Sequence, residues 1–159
     1  MTDYSSERYD PALASCGLIQ LSFDGKKLTM KAGTKEYTYH AVSGKPQADG
    51  SFDYSGDAQK KPFQGPIPEG VYWIRPDELW ENAWYKNGQR SAWGNFRITI
   101  HPFTTTKTHG RGGFFIHGGE RAGSAGCIDL WSDVDRFIKD LKAELGGNSE
   151  CQIHVHVRY

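Results

Sequence analysis

No stretch of this sequence is both apolar and long: every uncharged run falls well short of the ~20 residues that a membrane-spanning helix needs. Net charge is missing too, because 19 Lys and Arg cancel 19 Asp and Glu and leave a sequence pI near 7.0. That balance argues against general electrostatic capture of nucleic acid or of an anionic membrane, so neither is expected as a partner. Met1 to Ser15 holds no basic segment followed by an apolar one, and no Sec-type leader is expected there. Internal repeats and low-complexity tracts are absent. What remains is an ordinary globular composition, 37% hydrophobic and 13% aromatic, too apolar for a disordered chain. Its 159 residues suit one domain, expected over residues 17–159 behind a polar tail over 1–16.

Cysteine is scarce, with three in all, and the odd number suggests a division of labour. Cys127 lies in the most glycine-rich stretch. Cys16 and Cys151 each sit at the start of an expected strand, near opposite ends of the chain. In an oxidising compartment the two could pair and leave Cys127 free; two buried apolar thiols are the alternative.

Alternating residues dominate. Gly17 to Phe23, then Asp24-Gly25, then Lys26 to Lys31 reads as a β-hairpin. Glu36 to Val42 gives a third strand, Ser43 to Gly65 a long loop, and Val71 to Arg75 a strand ended by Pro76. Trp80 and Trp84, four apart, suggest a short helical excursion. Phe96–His101, Gly113–His117 and Cys151–Val157 complete the strands. One helix is expected behind Ser132 as N-cap, with Val134, Phe137, Ile138, Leu141 and Leu145 as its apolar stripe and Gly146-Gly147 as its stop. The expected fold is mainly β, with one packed C-terminal helix.

Chemistry concentrates in Gly112–Leu130, Gly-Gly-Phe-Phe-Ile-His-Gly-Gly-Glu-Arg-Ala-Gly-Ser-Ala-Gly-Cys-Ile-Asp-Leu. His117 closes a strand, and Cys127 follows ten positions on (127 − 117) with glycines between. A nucleophilic thiol needs an imidazole to take its proton, and glycines let backbone N–H groups approach a developing oxyanion. Cys127 also stands shortly before the expected helix, whose positive end would favour a thiolate. A tight glycine turn with a buried cysteine and an incidental histidine is the plainer alternative.

Strand-His-Gly, a short loop, then Ser124-x-Gly126-Cys127-Ile-x-Leu130 resembles the signature of the L,D-transpeptidase catalytic domain. The N-terminal hairpin, Gly65-Pro-Ile-Pro-Glu-Gly-Val-Tyr72 and Trp93-Gly-Asn-Phe-Arg-Ile-Thr-Ile-His101-Pro resemble further segments of it in the same order. The resemblance implies an L,D-transpeptidase-like β-sandwich with Cys127 as nucleophile and His117 as base and later acid. It also implies that Gly118 and Ser124 lie where a carbonyl or serine orients the imidazole, and that Gly126 and Cys127 N–H groups form the oxyanion hole. Ala125 stands where the family carries a second histidine, and Asp129 where Arg or Asn is common, which suggests altered handling of the acyl acceptor. The short His-to-Cys loop and the missing leader look closest to the L,D-transpeptidase-like effectors of the bacterial type VI secretion system. That resemblance implies cytoplasmic synthesis, injection into a rival's periplasm, and cleavage or exchange of the terminal D-Ala after diaminopimelate in peptidoglycan tetrapeptides. It implies no cofactor, and as partners the stem peptides, a periplasmic immunity protein and a loading component of the secretion machine.

His109, Arg111 and Arg121 are candidates to meet the substrate, since Arg forks suit carboxylates. His154 and His156, with Cys151 nearby, would make a conceivable metal site, but alternate strand histidines usually face solvent, and no metal is expected. Two other functions remain: a non-catalytic wall-binding module, favoured by Ala125 and Asp129, and an unrelated cysteine amidase or endopeptidase. In papain-like wall amidases Cys precedes His, the reverse of the order here.

Overall fold

The computed structural model describes residues 13–81, 94–119 and 123–159. Among the described residues ten strands form one sheet: nine follow the hydrogen-bonded path β3-β2-β1-β10-β5-β7-β8-β9-β4, and β6 is added against β7. The strands are β1 (Ile19–Phe23), β2 (Lys27–Ala32), β3 (Lys35–His40), β4 (Val42–Ser43), β5 (Gly70–Ile74), β6 (Trp80–Glu81), β7 (Phe96–Pro102), β8 (Phe114–His117), β9 (Ile128–Asp129) and β10 (Ile153–Val157). A helical turn, α1 (Gly56–Gln59), and the helix α2 (Val134–Leu145) accompany them among the described residues. The sheet curls into a nearly closed, barrel-like body with the helix packed against it.

β7 makes the corner. Its Trp73↔His101 and Tyr72↔Pro102 pairings join it to β5, while Arg97 to Ile100 pair with β8. A strand that serves two sheet halves in this way must bend, which brings both apolar faces onto one core. Leu21, Phe23, Leu28 and Met30 from the hairpin meet Ile98, Ile100, Phe114, Ile116 and Ile128 there. α2 closes the core with Val134, Phe137, Ile138 and Leu141, the stripe that its sequence spacing predicts, and it ends at Gly146.

Four local expectations change. The run Glu36–Val42 is not one strand: β3 stops at His40, and Val42–Ser43 turns away to pair with β9, leaving Ala41 buried at the break. The 43–65 loop holds α1, capped by Ser55, whose side chain accepts from the Ala58 N–H. Trp80 is in a strand rather than a helix, because Pro76–Glu78 forms a 3-10 turn that delivers it to β7; Trp84 lies outside the described residues. Ser132 sits inside a second 3-10 turn, Trp131–Asp133, so Asp133 rather than Ser132 is the N-cap position.

At the far edge of the core, β1 runs parallel to β10 and the chain is tied in before it starts. Ser15 bridges to Gln152, and Cys16 forms a disulfide with Cys151 across a Cα–Cα distance of 5.0 Å. The open choice between a disulfide and two thiols is resolved in favour of the disulfide, and Cys127 is the free cysteine. With a sequence separation of 135 between its ends, the link removes much of the unfolded chain's freedom, by up to ~5 kcal/mol in the chain-entropy account. Thiol titration of oxidised, denatured protein should therefore give one reactive thiol. A Cys16→Ser/Cys151→Ser variant should fold but melt roughly 10 °C lower by circular dichroism.

Candidate active site

β8 has two faces. Phe114 and Ile116 point into the core, so Phe115 and His117 occupy the opposite side. β9 pairs with β8 in parallel, Ile116↔Ile128 and His117↔Asp129, which sets the Asp129 carboxylate beside the imidazole. One residue before this ladder, Cys127 falls next to Phe115, whose backbone N–H is directed at the sulfur. The thiol donates to the Gly113 carbonyl at 3.8 Å. Cys127 and His117 thus emerge on one side of adjacent strands, one pleat apart.

His117 is clamped. Its Nδ1 lies 2.5 Å from the Gly118 carbonyl oxygen. A carbonyl can only accept, so Nδ1 carries the proton and Nε2 keeps its lone pair. The Gly118 backbone is pinned in turn: a Cβ there would meet the Trp131 carbonyl oxygen at 2.7 Å and Val134 Cγ1 at 2.4 Å. No other residue fits that approach, so the carbonyl that fixes the imidazole is itself fixed.

The Cys127 loop is tied down just as closely. The Ser124 hydroxyl donates to the Cys127 carbonyl at 2.7 Å, and the Ser124 N–H donates to Gly44. Of the two residues expected to orient the imidazole, the Gly118 carbonyl contacts the ring, whereas Ser124 shapes the cysteine turn. Gly126 has φ 106°, and a Cβ on it would fall 2.5 Å from Arg111 Nη2. Both the left-handed backbone and the close approach require glycine there. The helix behind Cys127 starts at Val134, after β9 and a 3-10 turn, so, contrary to expectation, its positive end does not abut the sulfur.

Two charged neighbours escaped the sequence reading. Asp129, read there only as a departure from a motif, is 1% exposed; it accepts from the Gly123 and Trp131 N–H groups at 2.8 Å each. Its Oδ1 lies 3.9 Å from His117 Nδ1. Arg97 stands opposite His117 on β7 and stacks on Trp80, 3.8 Å from the ring centroid. Arg97, His117 and Asp129 therefore form one row across three strands. Only the register of these three strands reveals it.

Burial governs the protons. Desolvation pushes the Cys127 thiol up to about 12, against the smaller opposing effects of the Phe115 N–H, Arg111 and Arg97. The same desolvation lowers His117, although Asp129 and the Gly118 carbonyl favour its cation. Burial raises Asp129, with His117 and two backbone N–H groups opposing. The resting pair is a neutral thiol beside a neutral imidazole.

The remaining candidates separate. Arg111 sits beside the cysteine turn, His109 is on an exposed turn at φ 56°, and Arg121 lies outside the described residues. His101 is fully buried, bonded through Nε2 to Glu78 at 2.6 Å and packed at a tilt against Trp73. His154 and His156 stand on β10 with ring centroids 6.5 Å apart, and the disulfide commits Cys151. Among the described residues no three potential ligands cluster.

No curated protein sequence matches the chain. Residues 38–150, which hold β8, β9 and the whole cysteine loop, match the Tlde1 domain. Effectors with this domain are associated with peptidoglycan-modifying activity. A histidine and a free cysteine held on paired strands by a glycine-lined loop thus sit within the matched segment, and the chain belongs to the Tlde1 family of type VI secretion effectors.

Proposed function

We propose that this effector is a cysteine L,D-carboxypeptidase and L,D-transpeptidase acting on tetrapeptide stems of peptidoglycan in the periplasm of a target cell. The observation that carries the reading is the fixed tautomer of His117: Nδ1–H is spent on Gly118, which leaves Nε2 as the basic nitrogen, while the β8–β9 register sets His117 and Cys127 on the same side of the strands.

The steps follow from that arrangement. His117 Nε2 takes the Cys127 proton as Sγ attacks the carbonyl carbon joining diaminopimelate to D-Ala. The oxyanion forms against the N–H groups of Gly126 and Cys127, in a turn that Ser124 holds in place. The imidazolium gives its proton to the departing D-Ala amine, leaving a thioester. Water then releases a tripeptide, or the amine of another D-amino acid takes the acyl group, and the thiol is regenerated. Asp129 supports the imidazolium while it carries the proton, acting at 3.9 Å rather than through a direct hydrogen bond. His109 and Arg121 are proposed to meet the substrate, and the partners are the stem peptides, an immunity protein and a loading component of the secretion machine.

Mass spectrometry of tetrapeptide muropeptides should show loss of the D-Ala mass with the native protein and no loss with Cys127→Ala. Split crosslinks would point instead to an endopeptidase, and unchanged substrate to a wall-binding module. His117→Ala should fail before the thioester, visible as absent acylation in a single turnover. Asp129→Asn should lower kcat about tenfold and move the acidic limb of the pH profile down by roughly one pH unit. The sign follows from the charge: without the carboxylate the imidazolium is less favoured, so His117 stays basic to lower pH. With Ala125 exposed in place of a histidine, the acceptor should be loosely selected. Excess D-Met should yield an exchanged tetrapeptide, and its omission should let tripeptide accumulate.

A further inference from the structure

Arg111 has an unusual setting for a cation. Its Nη1 donates to the carbonyls of Gln59 and Pro66 at 2.7 Å each, and Nη2 donates to Gly65 at 3.0 Å. The guanidinium lies over the Phe114 ring, 5.8 Å from its centroid. Among the described residues, no carboxylate lies within ion-pair distance of it. A half-buried cation balanced by carbonyl dipoles and a ring face, with no carboxylate, retains an attraction for an anion. The place left for one is specific, because Nη2 reaches 2.5 Å from where a Cβ would stand on Gly126, the residue before Cys127.

We propose that Arg111 is a positioning residue that supplies the fixed counter-charge for the Cys127 thiolate once His117 has taken its proton. The proposal rests on Cys127 being the nucleophile and adds to that reading the source of thiolate stability. In the covalent step the Sγ–H bond breaks, the proton passes to His117 Nε2, and the electron pair stays on sulfur. The new negative charge then sits in a desolvated turn, where a cation is worth far more than in water. Three of the five guanidinium N–H groups are already directed at α1 and the Pro66 turn, so the fork is anchored from behind rather than extended into solvent. The segment between β4 and β5 thereby acquires a role, since it holds the charge against the cysteine loop.

Other charged groups face the same sulfur and must be separated from this effect. Asp129 on β9 opposes the thiolate, Arg97 on β7 assists it, and His117 on β8 receives its proton. Tyr72 and Tyr159 face Arg111 itself.

The test measures the thiol without substrate. Once Cys16 and Cys151 are bridged, Cys127 is the free cysteine, so iodoacetamide alkylation reports on one sulfur. Rates are taken against pH for the native protein, Arg111→Lys and Arg111→Gln, with thermal melting as the folding control. Arg111→Gln should be alkylated about tenfold more slowly at neutral pH and its profile should shift to higher pH, while Arg111→Lys stays within about threefold of native. Coincident native and Gln profiles would overturn the proposal. So would a Lys variant as slow as Gln, because the loss would then follow the hydrogen bonds and not the charge. A raised KM for tetrapeptide with unchanged alkylation would also overturn it and assign Arg111 to a substrate carboxylate. If Arg111→Gln does not fold, Arg111→Lys decides: a slowed, shifted profile overturns the proposal, and a native-like one supports it. Because alkylation needs no peptidoglycan, failure of the proposed reaction, read from Cys127→Ala turnover, is scored separately.

Discussion

The parallel pairing of β8 with β9 is the constraint from which the site follows. Parallel ladders fix which residues stand side by side, and a slip of one would send His117 and Asp129 to opposite faces. The pairing joins elements separated by the glycine-rich loop, so the loop only has to connect two points already fixed. Gly118, pressed against Trp131 and Val134, locks the end of one strand, and β4 extends the ladder beyond the other. Cysteine position and nearby carboxylate are therefore set by one register, and the Gly118 carbonyl at its end sets the imidazole tautomer.

Desolvation gives that geometry its chemical character. It keeps both the thiol and the imidazole neutral at rest, which is unfavourable for nucleophilicity and favourable for control. A thiolate formed in such a place depends on the charges around it, and these arrive on separate elements. Arg97 arrives on β7 stacked on Trp80, Asp129 on β9, and Arg111 on a turn anchored to α1 and Pro66. The sheet and its inner loops thus work as a charged frame around a dry sulfur.

The frame in turn depends on elements remote from the chemistry. The segment matched to the Tlde1 domain ends at residue 150, yet β10 is a central strand between β1 and β5. β1 and the N-terminal stretch reach it from the other end of the chain, and the disulfide fixes that union. A parallel β1–β10 pair of such sequence separation carries a large closure entropy, which a covalent link offsets. In a reducing cytoplasm that link is not expected, and an oxidising compartment favours it.

The sequence by itself determined the repeating local patterns. The Asp24-Gly25 hairpin, the alternating Phe96–His101 and Cys151–Val157 runs and the α2 stripe were legible because burial on one face imposes a period on neighbouring residues. The cysteine, the histidine and the glycines between them were legible because nucleophilic chemistry restricts residue type. Where a strand ends was not: Glu36–Val42 reads as one run, but the competition between β2 and β9 for its two halves splits it at Ala41. Nor could local pattern decide the Trp80 strand, which exists only because β7 offers an edge. Asp129 reads as a lost motif residue until register sets it beside His117, and Arg111 reads as a substrate-binding candidate until α1 and the Pro66 turn are seen to enclose it. The physical reason is the same in each case. Local order follows from the periodicity of a single segment, whereas charge environment and strand ends follow from segments far apart in sequence that only the closed sheet brings into contact.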